Sequence, residues 1–173
     1  MTLTLETPRL ILRRPDARDA EGYIGFLGDP RSSMAGGVLE RPLAWRAYAA
    51  ILGHWELCGF GLFATTLRDT GETIGLIGNY GPDGWPEREI GWVLFTDRFE
   101  GTGLAYEAAV AAHRHTFQTM GWDTAVSYIA HGNDRSVALA KRLGATEDPE
   151  AETPGGKPCH VYRHTADALG DAP

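Results

Sequence analysis

Residues 87–120 constrain the chain more than any other stretch. Positions 90–95 form a short apolar run of strand formers. Positions 104–120 carry good helix formers and no proline, ending before Gly121. Between them lies Arg98-x-x-Gly101-x-Gly103. A strand, a turn with two glycines and a helix make an anion site from backbone alone. Glycines let the chain bring its N–H groups close to a ligand. The first N–H groups of a helix have no internal partner, and the helix dipole adds roughly half a positive charge there. Phosphate groups are favoured at such a place. Two better-known loops do not fit: Tyr106 stands where a dinucleotide fingerprint has its third glycine, and no Gly-Lys-Ser/Thr follows as in a P-loop. A plain tight turn is the competing reading.

Composition narrows the partners. The 173 residues favour one domain with one core. With 16 basic against 23 acidic side chains the net charge is −7, unsuited to a nucleic-acid backbone. No apolar run approaches the roughly 20 residues of a membrane span, and the start, Met-Thr-Leu-Thr-Leu-Glu, lacks a basic, apolar leader. Cys58 and Cys159, without CxxC spacing, read as packed thiols in a reducing compartment. The cytoplasm is the expected location. His113 and His115 are two apart on a helix, and His160 and His164 four apart on a strand, with no third ligand for either pair. No metal is expected.

In chain order, positions 9–14 read as a first strand and 17–27 as a helix capped by Asp16. A loop covers 29–41, and a second helix runs from Pro42 to about Leu57. Two strands, 60–66 and 72–80, flank a hairpin-type turn, and 81–86 is turn-rich. A strand at 124–130 precedes a helix capped by Asn133 or Asp134 and closed by Gly144. Positions 145–147 and 158–164 read as closing strands. Residues 1–165 are one domain and 166–173 a loose tail. Helices between strands, after an early meander, imply an α/β (α+β) layered domain. Ala105, Ala108, Ala109 and Ala112 form a small-residue patch for close packing on the sheet.

Arg98-x-x-Gly101-x-Gly103-x-Ala105 behind an apolar strand resembles the acyl-CoA pyrophosphate loop of the GNAT N-acetyltransferases. Tyr106-Glu107-Ala108 resembles the branch containing the ribosomal-protein N-terminal acetyltransferases. Asn133-x-x-Ser136, followed by Leu143-Gly144, is similar to the family's second cofactor motif. The resemblance runs from about Leu10 to about Arg163. It implies a mixed central sheet, flanked by helices, in which the strands at 90–95 and 124–130 are parallel and splay apart around a pantetheine arm.

It also implies roles. Backbone groups of Val93, Leu94 and Phe95 would hold the pantetheine and polarise the thioester. Arg98, Gly101, Thr102, Gly103, Leu104 and Ala105 would wrap the pyrophosphate, with Glu100 turned away from it. Asn133 would bond the pantetheine, unless it serves only as a helix cap. The family's usual tyrosine acid has Ala140 in its place, so Ser136 is the expected proton donor to the thiolate; a local helix bond is the alternative. Glu89 is the expected base. The competing readings are a solvated strand-end charge, Tyr80, Tyr128 or an ordered water. Acetyl-CoA would be the co-substrate, and an amine the acceptor: a protein N-terminus or a small molecule. Loops 29–41, 81–88 and 149–157, with Asp83, Trp85, Glu87, Glu150 and Glu152, would line its site. Exposed apolar residues near Trp45 or Trp122 could mark a homodimer contact, and burial is the competing reading. A non-catalytic acyl-CoA-binding sensor or partner-binding module is the alternative function, and a nucleotide-binding domain the third.

Overall fold

The structure, a computed structural model, describes residues 3–169. Eight strands form one sheet in the order β1-β2-β3-β4-β5-β6-β8-β7 among the described residues. The strands β1 (Thr4–Glu6) and β2 (Leu10–Arg13) lead into α1 (Ala20–Gly28) and α2 (Arg41–Cys58). The meander β3 (Leu62–Leu67), β4 (Thr73–Tyr80) and β5 (Glu89–Leu94) follows. Then come α3 (Leu104–Arg114), β6 (Ala125–Ile129), α4 (Asp134–Arg142), β7 (Thr146–Glu147) and β8 (His160–His164). Neighbouring strands are antiparallel except β5 and β6.

Three expectations need correction. Thr4–Glu6 is a further strand, paired with β2 through Leu5 and Leu12; its apolar alternation is only three residues long. The helix expected from 17 opens as a 3-10 turn at Ala17–Asp19, because Asp16 and Asp19 form a reciprocal capping box. Ala166–Leu169 is a 3-10 turn, and Leu169 packs against the core. The rest of the expected tail, 170–173, lies outside the described residues.

The sheet is covered on both faces. One cluster joins α1 and α2 to the sheet through Ile24, Leu27, Tyr48, Ile51, Ala64 and Leu76. On the other side α3 lays Ala108, Ala109 and Ala112, all fully buried, against Leu10, Leu12 and Ile74. The alanine patch does what its size allows: small side chains let the helix axis approach the sheet, and the fit excludes water.

Beneath the end of α3 the core turns polar. Asn79 Nδ2 donates to Thr116 Oγ1 at 2.7 Å, and that hydroxyl donates to the Ala112 carbonyl at 2.7 Å. The back-bond to residue i−4 accompanies a π-helical turn over His115–Thr119, so the expected single helix to 120 changes pitch. Ser127 Oγ donates to the Ile90 carbonyl at 2.6 Å and meets His164 Nε2 at 2.9 Å. His113 lies edge-on to His164, ring centres 5.6 Å apart. Burial lowers His113 to about 4 and His164 to about 3, so both are neutral at pH 7.

Candidate functional site

The sheet opens where its one parallel pair fails. β5 and β6 share a single register pair, Glu89 with Val126. Val126 N–H donates to the Arg88 carbonyl at 3.0 Å, and the Ser127 hydroxyl takes the Ile90 carbonyl. From Gly91 onward β5 has a ladder only to β4. The result is a fork, with Glu89 at its crotch.

The register decides which backbone groups face the gap. Phe95 N–H is used by the Ile74 carbonyl at 2.9 Å. Hydrogen-bonding direction alternates along a strand, so Val93 also points to β4, while Trp92 and Leu94 point into the fork. Of the three backbone positions expected to hold a pantetheine arm, Leu94 faces the gap. Val93 and Phe95 do not; the other amide that faces it is that of Trp92.

Beyond β5 the chain makes a 3-10 turn at Asp97–Phe99 and reaches the two glycines. Gly101 and Gly103 have φ of 72° and 81°, a left-handed backbone that a side chain would strain. Gly103 is the N-cap of α3, and no side chain caps this helix. Glu107, in the first turn, is drawn elsewhere: Thr7 Oγ1 donates to it at 2.6 Å and Arg9 Nε at 2.6 Å. Arg9 also holds the Thr102 carbonyl at 3.1 Å, and Thr102 Oγ1 donates to the Phe99 carbonyl at 2.6 Å. The loop's carbonyls are therefore tied back, and the amides from Thr102 to Ala105 are the groups left for an anion. These residues fit a diphosphate. The Arg98 side chain is directed out of this loop. It pairs with Glu72 and stacks on Phe99, 4.4 Å from the ring centre. Glu100 turns away as expected, toward Arg31 and Arg135.

On the α3/α4 side of the fork, Asn133 Oδ1 accepts Ser136 N–H at 3.3 Å and so caps α4. Its Nδ2 makes no hydrogen bond among the described residues. Trp92 Nε1 donates to Ser136 Oγ at 3.1 Å. An indole N–H can only donate, so the serine's O–H remains available as a donor. Ala140 is fully buried among Ile129, Ala145 and Tyr162, with no room for a tyrosine.

On the other face sits the acid. Glu89 Oε2 accepts Trp85 Nε1 at 3.0 Å, and the Tyr128 backbone N–H also bonds the carboxyl. Burial outweighs both donors and raises Glu89 to about 7. Tyr80 is its cross-strand neighbour, 5.7 Å from Trp85 between ring centres. Tyr80 and Tyr128 are both raised by burial, Tyr128 to about 12, so both phenols stay protonated. Among the groups named from the sequence as bases, Glu89 alone titrates near neutrality.

One expected lining group, Glu87, has other work. Arg163 clamps Glu87 at 2.7 and 2.9 Å and Asp148 at 2.7 Å, holding both carboxylates ionised on one shared cation. Trp122 is buried against Phe60 and Arg88, whereas Trp45 is 60% exposed. Among the described residues no group of three His, Cys, Asp or Glu is placed to hold a metal ion, and no helix is long and apolar enough to cross a membrane. Sequence reasoning passed over Trp92, Arg31 and Arg135. The indole at 92 looked like one more strand former, and nothing local marks the two arginines, whose partners are distant in sequence.

Solved structures with this fold include an acetyltransferase from Agrobacterium tumefaciens str. C58, 38% identical over 95% of each chain, with a TM-score of 0.88. The ribosomal L7/L12 α-N-protein acetyltransferase RimL, solved with coenzyme A, is 18% identical, with a TM-score of 0.70 over 96% of this chain and 99% of its own. FdhC, a nucleotide-linked sugar GNAT, is also 18% identical, with a TM-score of 0.72 over 98% of this chain and 93% of its own. The last two share the fold. The family described as acetyltransferase (GNAT) domain matches residues 9–146. A fork in the sheet, an uncapped glycine turn at its open end and these matches agree: the chain belongs to the GNAT acetyltransferase family, whose members transfer an acetyl group from acetyl-CoA.

Proposed function

We propose that this protein transfers an acetyl group from acetyl-CoA to a primary amine by direct attack, with Glu89 as base and Ser136 as acid. One observation carries the reading: a carboxyl raised to about 7 stands at the crotch of the fork, where a thioester held by the two motifs would end. An amine near pKa ~10.4 must lose a proton before it can attack. At pH 7 about half of the Glu89 carboxyls are ionised and able to take it. The faces of the Tyr80 and Trp85 rings favour an approaching ammonium. Trp92 and Leu94 present amides to the gap, where one donor on a developing oxyanion contributes about 3 kcal/mol. Ser136, oriented by the Trp92 indole, hands its proton to the departing thiolate and regains one from solvent.

The amides of Gly103, Leu104 and Ala105 hold the diphosphate, and Asn133 Nδ2 reaches the pantetheine arm. Residues 3–169 act as one domain on this reading, in the cytoplasm. The acceptor is a protein N-terminus or a small amine; the exposed Trp45 suits a homodimer contact. RimL and FdhC share the fold and differ in named acceptor class, so the fold does not choose between them.

Calorimetric titration with acetyl-CoA tests the cofactor, and thiol release against a panel of amines tests the chemistry. Binding without release by any amine would favour the sensor reading, to which the missing hydroxyl at Ala140 lends support. No binding at all would reject both.

A further inference from the structure

Glu100 is an odd residue for a diphosphate loop. Its carboxylate adds a negative charge one position before Gly101, where the ligand is itself negative. The structure shows where that charge goes. Arg31 Nη2 donates to Glu100 Oε1 at 2.6 Å, and Arg31 Nη1 donates to the Phe95 carbonyl at 3.2 Å. Arg135, in the first turn of α4, pairs with the other carboxylate oxygen. Glu100 therefore ties three pieces together: the 3-10 turn Pro30–Met34 after α1, the glycine loop after β5, and the start of α4.

The two arginines are not equivalent. Arg31 is partly buried, 29% exposed, and makes a second bond to backbone. Arg135 is 79% exposed and has Glu100 as its one partner among the described residues. A long, solvated side chain held by one ion pair exchanges partners at little cost. Arg135 reaches the glycine loop because Glu100 is in that loop.

We infer that Glu100 is a built-in competitor for the cofactor's phosphates: it holds Arg135 until the diphosphate arrives, and Arg135 then transfers to the ligand. Glu100 keeps Arg31, so the Pro30–Met34 turn stays anchored to the loop in both states. The carboxylate lowers cofactor affinity and favours release of the product coenzyme A. The inference rests on the proposed placement of the diphosphate at Gly103, Leu104 and Ala105.

The test is calorimetric titration of coenzyme A into the unmodified protein, Glu100→Gln, Arg135→Gln and the double variant. Thermal stabilisation by inorganic pyrophosphate serves as a second readout. Glu100→Gln should tighten coenzyme A about 5-fold, since it removes a like charge and frees a cation. Arg135→Gln should weaken it about 5-fold. In the double variant most of the Glu100→Gln gain should vanish, because the freed cation is gone. Pyrophosphate should follow the same order. If the unmodified protein binds coenzyme A and Glu100→Gln binds it equally or more weakly, the competitor is ruled out and Glu100 is a tether. An undiminished gain in the double variant overturns the transfer of Arg135. Failure of the unmodified protein to bind coenzyme A instead rejects the proposed function.

Discussion

The two ends of the β5–β6 fork are built from different material. At the open end the groups that matter are backbone amides, presented by two left-handed glycines and the head of α3. At the closed end they are side chains: Glu89, Trp85 and Tyr80, with one amide from Tyr128. The open end is polar and rimmed by ion pairs, the closed end desolvated and aromatic. On the proposed function, a backbone site recognises what every acyl-CoA shares. A side-chain site can change its acceptor without disturbing the cofactor.

That contrast can be broken by substitution. Gly103→Glu should have the largest effect, a loss of acetyl-CoA affinity of more than about 100-fold in calorimetry, because φ of 81° is strained for a side chain and the new charge faces phosphate. Near-normal binding would show that the open end is not a backbone site. Glu89→Gln should lower kcat about 100-fold while leaving the acetyl-CoA Kd within about 2-fold. In the unmodified protein kcat/KM should rise with pH and level off above about 7, and that limb should disappear in the variant. A changed Kd with an unchanged profile would place Glu89 with the cofactor instead. Ser136→Ala should cost about 10-fold in kcat, more for poorer leaving thiols, with binding retained. An alkyl thiol has a pKa near ~8.5 and leaves readily alone, so the acid contributes modestly.

Two stability measurements sharpen the comparison further. Glu89 is raised in the folded state, so its burial costs stability once it ionises. Glu89→Gln should therefore stabilise the fold by about 1–3 kcal/mol above pH 7, an advantage that fades as pH falls from about 7 to about 4.5. The buried histidines act in the opposite sense. His113 and His164 are lowered, so the unfolded chain takes up protons below about pH 6.5 that the folded one refuses. Thermal stability should fall by about 5 °C between pH 7 and pH 5, and His113→Leu should flatten that slope. An unchanged slope would show that these rings are not the acid-sensitive groups.

Much of the open end was legible in the sequence. Gly-x-Gly after an apolar run and before an alanine-rich segment is a local pattern, and local patterns survive without a fold. The layers were legible for the same reason, since Ala108, Ala109 and Ala112 show their helical spacing directly. The closed end was half legible. Glu89 stood out by position, but its partners come from β4, β6 and the loop before β5, and only the register brings them together. The same register reassigns Val93 and Phe95: which amide faces the gap depends on β4, not on β5. Arg98 went to Glu72 for a related reason, since an ion pair between residues 26 apart leaves no mark on either neighbourhood. The strand at Thr4–Glu6 was too short to announce itself.

One consequence follows from the single shared rung between β5 and β6. A sheet that stops pairing midway leaves polar backbone without a mate, and unfinished edges invite completion. On the proposed reading the substrate's amide-bearing arm finishes the weave, as a temporary thread between two permanent ones. Hydrogen exchange at the Trp92 and Leu94 amides would then slow on binding.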